Sequence, residues 1–424
     1  MKLTNVFLAS MLAVSSASTA FAASTGSYDV VLRVTGSTAF RRSTAQAIEN
    51  IIVSNKRIGY RSGSGVTGHL NAGRAVYTGT LSNGKTVLIQ TSWSGSEAGF
   101  KSIAATSPVA ITNWLDDTNI ASAAVGSSTA VAVDTTNDSA VANVAMADNA
   151  QNESLQKGTG YITLTSHQVG VVPFVWVRGT SANAEVQSYL NAFTNITSQQ
   201  AQGVFNTALN LKNWAYGVDT AGKTVLPENI YVYAVGRDNL SGTRLNALLE
   251  TYAAAKNAIT QSITQVTPVT NTTNLTGYTV NANVASGLTS GGTLVQSLGK
   301  PAVNTIVDSV FVGYAGIADV TAGNYPGTGI NGDGSFSWSG TGTNPVLSYN
   351  GVAYSKPAVL NGTYTFWGYE YIAYGSAITG NVNAQDAVNL LETEIVTNTA
   401  DQAGIKLSEM QSQRTGAGTF PYSI

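Results

Sequence analysis

Residues 235–244 read VGRDNLSGTR. They stand between a strand-like run, NIYVYAV (229–235), and LNALLETYAAA (245–255). In the latter, Leu245, Leu248, Leu249, Tyr252 and Ala253 keep the i, i+3, i+4, i+7, i+8 spacing of one helix face. A strand, a polar turn and a helix in this order form one α/β unit, and the turn admits two readings. Ser-Gly-Thr before a helix is an ordinary N-cap. It is also the start of an anion site, because the first N–H groups of a helix lack intrahelical acceptors and carry partial positive charge. Arg237 precedes Ser241 by four residues and offers a planar fork suited to phosphate oxygens.

Working outward, the same unit recurs. YDVVLRV (28–34) reads as a strand and runs into TGSTAF (35–40), after which Phe40, Ala47, Ile48 and Ile51 keep helical time. RAVYTGTLSNGKTVLIQ (74–90) reads as a hairpin turning at Asn83-Gly84, and its second strand leads into SGSE (94–97) and a helix with Phe100, Ile103 and Ala104 on one face. SAVANVAMADNAQNESL (139–155) predicts a strand ending at Asp148. HQVGVVPFVWVRG (167–179) is apolar enough for a buried parallel strand, and NITSQQAQGVFNTALNLKNW (195–214) reads as a helix with Ser198 as a candidate cap. Alternating strands and helices predict α/β layers with ligands at the carboxyl ends of strands. Residues 111–140, 255–292 and 320–350 have turn chemistry and little helical period, and read as surface insertions away from the chemistry.

The start, MKLTNVFLASMLAVSSASTAFAAST, has one Lys, an apolar stretch too short for a membrane span, and a small-x-small site at Ala20-Phe21-Ala22. Residues 1–22 are expected to be a secretory signal peptide, placing the remainder in the periplasm or outside the cell with no membrane span. The absence of Cys excludes disulfides, Cys-ligated metals and a lipidated N-terminal Cys. With 21 basic and 23 acidic side chains and only 10% charged residues, the chain has no basic stripe for nucleic acid. Its two histidines, His69 and His167, stand in unrelated contexts. They form neither a metal motif nor a Ser-His-Asp set, so no metal, cofactor or catalytic residue is expected.

TGST, SGSE and RDNLSGT thus present three strand-to-helix turns with hydroxyls and glycines. If they converge, they hold an oxyanion with few cationic side chains. A carboxylate such as Asp148, were it to stand beside such an anion, would be costly unless the ligand brought a proton to donate, which phosphate near neutral pH does and sulfate does not. The plainer reading of Asp148 is a strand-end turn former.

In order along the chain, TGSTAF, SGSEAG, AMADNA, QVGVVPFVWV, TSQQAQGVFNTALNLKNW, RDNLSGTR, VGYAGIAD and GTYTFWGYEYI resemble the phosphate-binding proteins of bacterial ABC phosphate transporters. The resemblance implies a class II periplasmic binding protein: two α/β lobes with mixed, mainly parallel sheets and a ligand cleft between them. It also implies phosphate contacts at Thr38, Ser96, Asp148, Arg237, Ser241, Gly242 and Thr243, an ABC permease as partner, and a monomer. RSGSGVTG (61–68) competes with SGSE for the serine loop through Ser64, and Asn239 stands where the family commonly has an Asp. The expected division is 23–170 for the first part of lobe I, 171–318 for lobe II, and 319–424 for an insertion and a return to lobe I. A secreted phosphatase using the same cradle and a surface or matrix protein that has kept the fold are the competing readings.

Overall fold

The computed structural model describes residues 26–63, 66–131, 137–206, 209–211, 229–251, 265–281, 286–321 and 324–424. The expected signal peptide, Ser64, and Tyr252 and Ala253 of the helical stripe lie outside them. Among the described residues no helix is long and apolar enough to cross a membrane.

The first half contributes β1 (Val30–Gly36), α1 (Arg41–Ile51), β2 (Ile52–Arg61), β3 (Arg74–Leu81), β4 (Thr86–Trp93), α2 (Ser96–Ala104), β5 (Ser128–Val131) and β6 (Val144–Ala147). The long β7 (Thr165–Arg178) follows, then α3 (Ser198–Asn206), β8 (Tyr231–Val235), α4 (Gly242–Thr251) and α5 (Gly291–Leu298). The chain ends with β9 (Ser309–Gly316), α6 (Ile317–Thr321), β10 (Val346–Tyr349), β11 (Trp367–Tyr374) and α7 (Val382–Glu394).

One mixed sheet runs β5-β2-β3-β4-β1-β6-β11-β7. At its centre β4, β1 and β6 are parallel, with Gly36 opposite both Trp93 and Met146. Parallel neighbours ending in register deliver their following loops to the same edge, which brings Ser96 and Asp148 into hydrogen-bond contact. The second sheet is built on β9, with β8 parallel on one side and the end of β7 antiparallel on the other. Val235 lies opposite Gly313, so the loops after β8 and β9 also leave from one edge. The carboxyl-end loops of the two sheets meet one another, at the edge where open α/β sheets bind ligands.

β7 belongs to both lobes. Residues 165–173 pair with β11, and residues 174–178 pair with β9 and β10. Its apolar run is buried from Val169 to Arg178, but every β7 pairing is antiparallel, which corrects the expected parallel strand. Burial on both faces, and not strand direction, dictates such a run.

The stripes predicted for α1 and α2 are buried: Phe40, Ala47, Ile48 and Ile51 in one, Phe100, Ile103 and Ala104 in the other. The expected Asn83-Gly84 turn joins β3 to β4, with Gly84 at φ 81°. At α3 the cap is Thr197 and not Ser198: Gln200 N–H donates to Thr197 Oγ1 at 3.2 Å, and Thr197 N–H donates to Gln200 Oε1 at 2.8 Å. This is a reciprocal capping box.

Where β7 passes between lobes, Trp176 is fully buried against Phe205, Tyr314 and Phe366, with ring centroids 5.6, 5.5 and 6.0 Å away. Trp176→Ala is expected to cost about 3–5 kcal/mol of stability, read as a lower midpoint in urea unfolding. An unchanged midpoint would show that the junction is not a cooperative core.

Candidate functional site

Asp148 follows β6 and is 1% exposed. Ser96, the first residue of α2, donates its hydroxyl to Asp148 Oδ1 at 2.5 Å, and the Asp148 N–H donates back to Ser96 Oγ at 3.1 Å. From the facing lobe, Thr243 donates its hydroxyl to Asp148 Oδ2 at 3.0 Å, and Asn246 Nδ2 donates to the Asp148 carbonyl at 2.7 Å. Burial pushes the Asp148 carboxyl up, while the two hydroxyls and the Arg237 charge pull the other way. Two hydroxyl bonds leave lone pairs on the carboxylate for a further donor.

The loops are in intimate contact. A Cβ on Gly242 would stand 1.7 Å from Asp148 Oδ1, so only glycine lets the start of α4 approach the carboxylate. Gly95, at φ 101°, needs glycine on conformational grounds, and a Cβ there would lie 2.4 Å from the Leu240 carbonyl oxygen. That carbonyl accepts from the N–H groups of Glu97 and Ala98 at 3.1 and 3.3 Å. Two early donors of α2 are thereby satisfied by protein and are not left over for an anion. Ser241 works partly as the plain cap: its Oγ accepts from Arg244 N–H at 3.2 Å. Thr38 lies in the bend before α1 and is buried at the wall of a cavity of ≈ 220 Å³, lined also by Arg41, Asp319 and Ile317.

Arg237 is 1% exposed. Its Nε donates to the Leu288 carbonyl at 3.0 Å and its Nη2 to the Thr289 carbonyl at 2.9 Å, while the buried Nη1 has no hydrogen-bond partner among the described residues. Arg244 Nη1 donates to the Arg237 carbonyl at 3.0 Å, fixing the backbone from behind. The clamp at 288–289 falls inside 255–292, so this stretch is not wholly the detached decoration expected of it.

Several residues of this neighbourhood escape the motif-based reading. Glu97 is fully buried and braces the loop after Asp148, accepting from Asn149 Nδ2 at 3.0 Å, Ser154 Oγ at 2.7 Å and Leu155 N–H at 3.0 Å. Asp319, in α6 just beyond β9, is 4% exposed and its Oδ2 has no partner among the described residues. Glu370 on β11 is fully buried, and the Tyr371–Ala147 pairing puts it across from Asp148. Neither of its carboxyl oxygens has a hydrogen-bond partner among the described residues. Ser37 lies beside it without a bond of regular geometry. Burial and the Asp148 charge hold Glu370 well above the usual carboxylate range. The histidines stand elsewhere: His69 pairs with Glu49 and His167 with Glu392, each at 2.8 Å. No group of acidic or His side chains able to hold a metal occurs among the described residues.

Because folding raises the Glu370 pKa, its contribution to stability is fully present below the unfolded value near 4.5 and is lost as pH rises through the folded value. Glu370→Gln is expected to flatten the fall in unfolding free energy above that pH, measured by urea titration at a series of pH values. Parallel wild-type and variant profiles would place Glu370 in a solvated setting.

No protein-family model and no curated protein matches the chain. Among solved structures it is similar to a candidate phosphate ABC transporter substrate-binding protein with bound phosphate from Clostridium perfringens, at 13% identity, covering 89% of this chain and 100% of that one, with a TM-score of 0.44. A possible phosphate binding protein from Planctomyces limnophilus DSM 3776 matches at 13% identity over 90% of this chain and 94% of its own, with a TM-score of 0.39. An ABC-type phosphate transport receptor from Vibrio cholerae matches at 12% identity over 89% of this chain and 100% of its own, also at 0.39. All three TM-scores lie under 0.5.

Proposed function

We propose that the protein is an extracytoplasmic solute-binding protein that captures inorganic phosphate in the cleft between its lobes and delivers it to an ABC permease. The observation that carries this reading is the buried Arg237, with one nitrogen unpaired among the described residues, whose charge acts on the buried Asp148 at the meeting of helix starts. A buried cation with a free donor calls for an anion. A buried carboxylate beside it calls for a donor. A protonated tetrahedral oxyanion meets both demands in one ligand, with the Thr38 and Ser241 hydroxyls and the backbone N–H groups of Ser96, Gly242 and Thr243 as further donors, while the Ser96 and Thr243 hydroxyls stay on Asp148. The secretory character of residues 1–22 supports capture outside the cytoplasm, and the sequence resemblance supports delivery to a permease. Against a phosphatase stands the placement of both histidines on surface-side glutamates away from Asp148, which leaves no imidazole to activate a nucleophile.

Arg237→Ala is expected to weaken phosphate binding by about 2–4 kcal/mol, the cost of deleting a buried charge-assisted contact, in isothermal titration of the full chain. Unchanged affinity would remove Arg237 from the ligand.

Selectivity tests Asp148 directly. The wild type is expected to bind phosphate and reject sulfate, whereas Asp148→Asn, whose amide can turn an N–H toward an ionised oxygen, is expected to admit sulfate. Equal binding of the two anions by the wild type would reduce Asp148 to a structural link between lobes.

A further inference from the structure

Asp319 is a second buried carboxylate, and the motif-based site does not include it. It is carried by α6, at the carboxyl end of β9, as Asp148 stands at the carboxyl end of β6. It lines the same cavity as Thr38, at 4% exposure, with Oδ2 bonded to nothing among the described residues. A Cβ on Gly291, the first residue of α5, would come within 2.1 Å of that oxygen, so the helix start is cut back to make room for it.

Arg41, Arg42, Lys356 and Asp401 are the other charged residues lining the cavity of Asp319. Asp319 feels Arg41 from α1 and Arg237 from the β8–α4 loop, which both oppose the upward push of burial; Asn324 Nδ2 donates to its carbonyl and not to its carboxylate. Asp148 faces Ser96, Thr243 and Arg237, with Glu97 and Glu370 as the neighbouring acids on which its charge acts. The Arg237 charge thus acts on a buried carboxylate from each lobe.

Resting on the phosphate reading above, we propose that Asp319 is a second proton-accepting contact of the ligand, so that the species bound is the monoanion H2PO4−, with two P–OH groups. One P–OH donates to Asp148 and the other to Asp319, while the two ionised oxygens face Arg237 and the backbone and hydroxyl donors. The dianion has a single P–OH. It leaves one carboxylate against a bare oxygen in a water-poor cleft, unless it binds together with one proton from solvent. Either route links binding to one proton above the second ionisation of phosphate, and affinity then drops roughly tenfold per pH unit.

The experiment is calorimetric titration of phosphate into the full-length wild type and Asp319→Asn across the second ionisation of phosphate, in buffers of different ionisation enthalpy so that proton uptake is counted. Phosphite is the second probe, because its monoanion has one P–OH and a P–H in place of the other. The wild type is expected to take up one proton per phosphate at alkaline pH, to lose affinity at the slope given, and to bind phosphite more weakly than phosphate. Asp319→Asn is expected to flatten the slope and narrow the phosphate–phosphite gap. Phosphate binding without proton uptake, or equal affinity for the two probes in the wild type, overturns the role of Asp319 and leaves the phosphate reading standing; both readouts use wild-type protein and survive a variant that fails to fold. Absence of phosphate binding at every pH overturns both.

Discussion

The Asp148 carboxylate holds the two lobes to one another. It accepts one hydroxyl from Ser96 in its own lobe and one from Thr243 in the other, and its backbone carbonyl takes Asn246 from the second lobe. A buried charge tolerates such a position only while its donors are kept, since removing one partner of a buried polar contact costs far more than the contact contributes on balance. The surroundings serve that requirement. Glu97 braces the loop behind Asp148, Gly242 lets the start of α4 close on it, and Gly95 lets the α2 loop seat on the Leu240 carbonyl. On the proposed phosphate reading, the atoms that recognise the ligand are the same ones that join the two lobes.

Much of this was readable from the chain because it is local. Gly-Ser, Ser-Gly and Arg-Asp-Asn-Leu-Ser-Gly-Thr turns between an apolar strand and a helical stripe mark positions where backbone donors are left over, and parallel strands bring such positions to one edge. Ser96, Asp148, Gly242 and Thr243 do come together. What stayed hidden depends on contacts distant in sequence. The carbonyls of Leu288 and Thr289 hold Arg237 without any side-chain signature, since every residue has a carbonyl. The direction of β7 was equally silent, because a strand covered on both faces shows the same apolar run whichever way its neighbours point.

Glu370 and Asp319 are a different case, for each left a trace. In WGYEYIAY, Glu370 falls in phase with Gly368 and Ile372, on the buried face, while Tyr369 and Tyr371 alternate toward the half-exposed side. An acid in phase with the core residues of a strand signals a protonated or specially placed carboxyl. Asp319 closes VGYAGIAD just beyond the carboxyl end of a buried strand, the place where α/β sheets keep their ligand groups. Strand phase and strand end, applied to every acidic residue and not only to hydroxyl-rich turns, would have found both.

The way β7 is shared has a mechanical consequence. The chain passes from lobe I to lobe II along β7 itself, and it returns between β10 and β11, whose pairings with β7 meet near residues 173–176. Both passages thus lie side by side, and one of them is a continuous strand of 14 residues, roughly 45 Å long, hydrogen-bonded on either side of the junction. A strand so anchored can twist about its own axis far more cheaply than it can bend or stretch, because torsion spreads over many φ/ψ pairs while bending breaks ladder bonds. The lobes are coupled by a torsion bar in place of a slack tether. Any rotation of one lobe against the other is therefore expected to be limited in angle and opposed by an elastic restoring force.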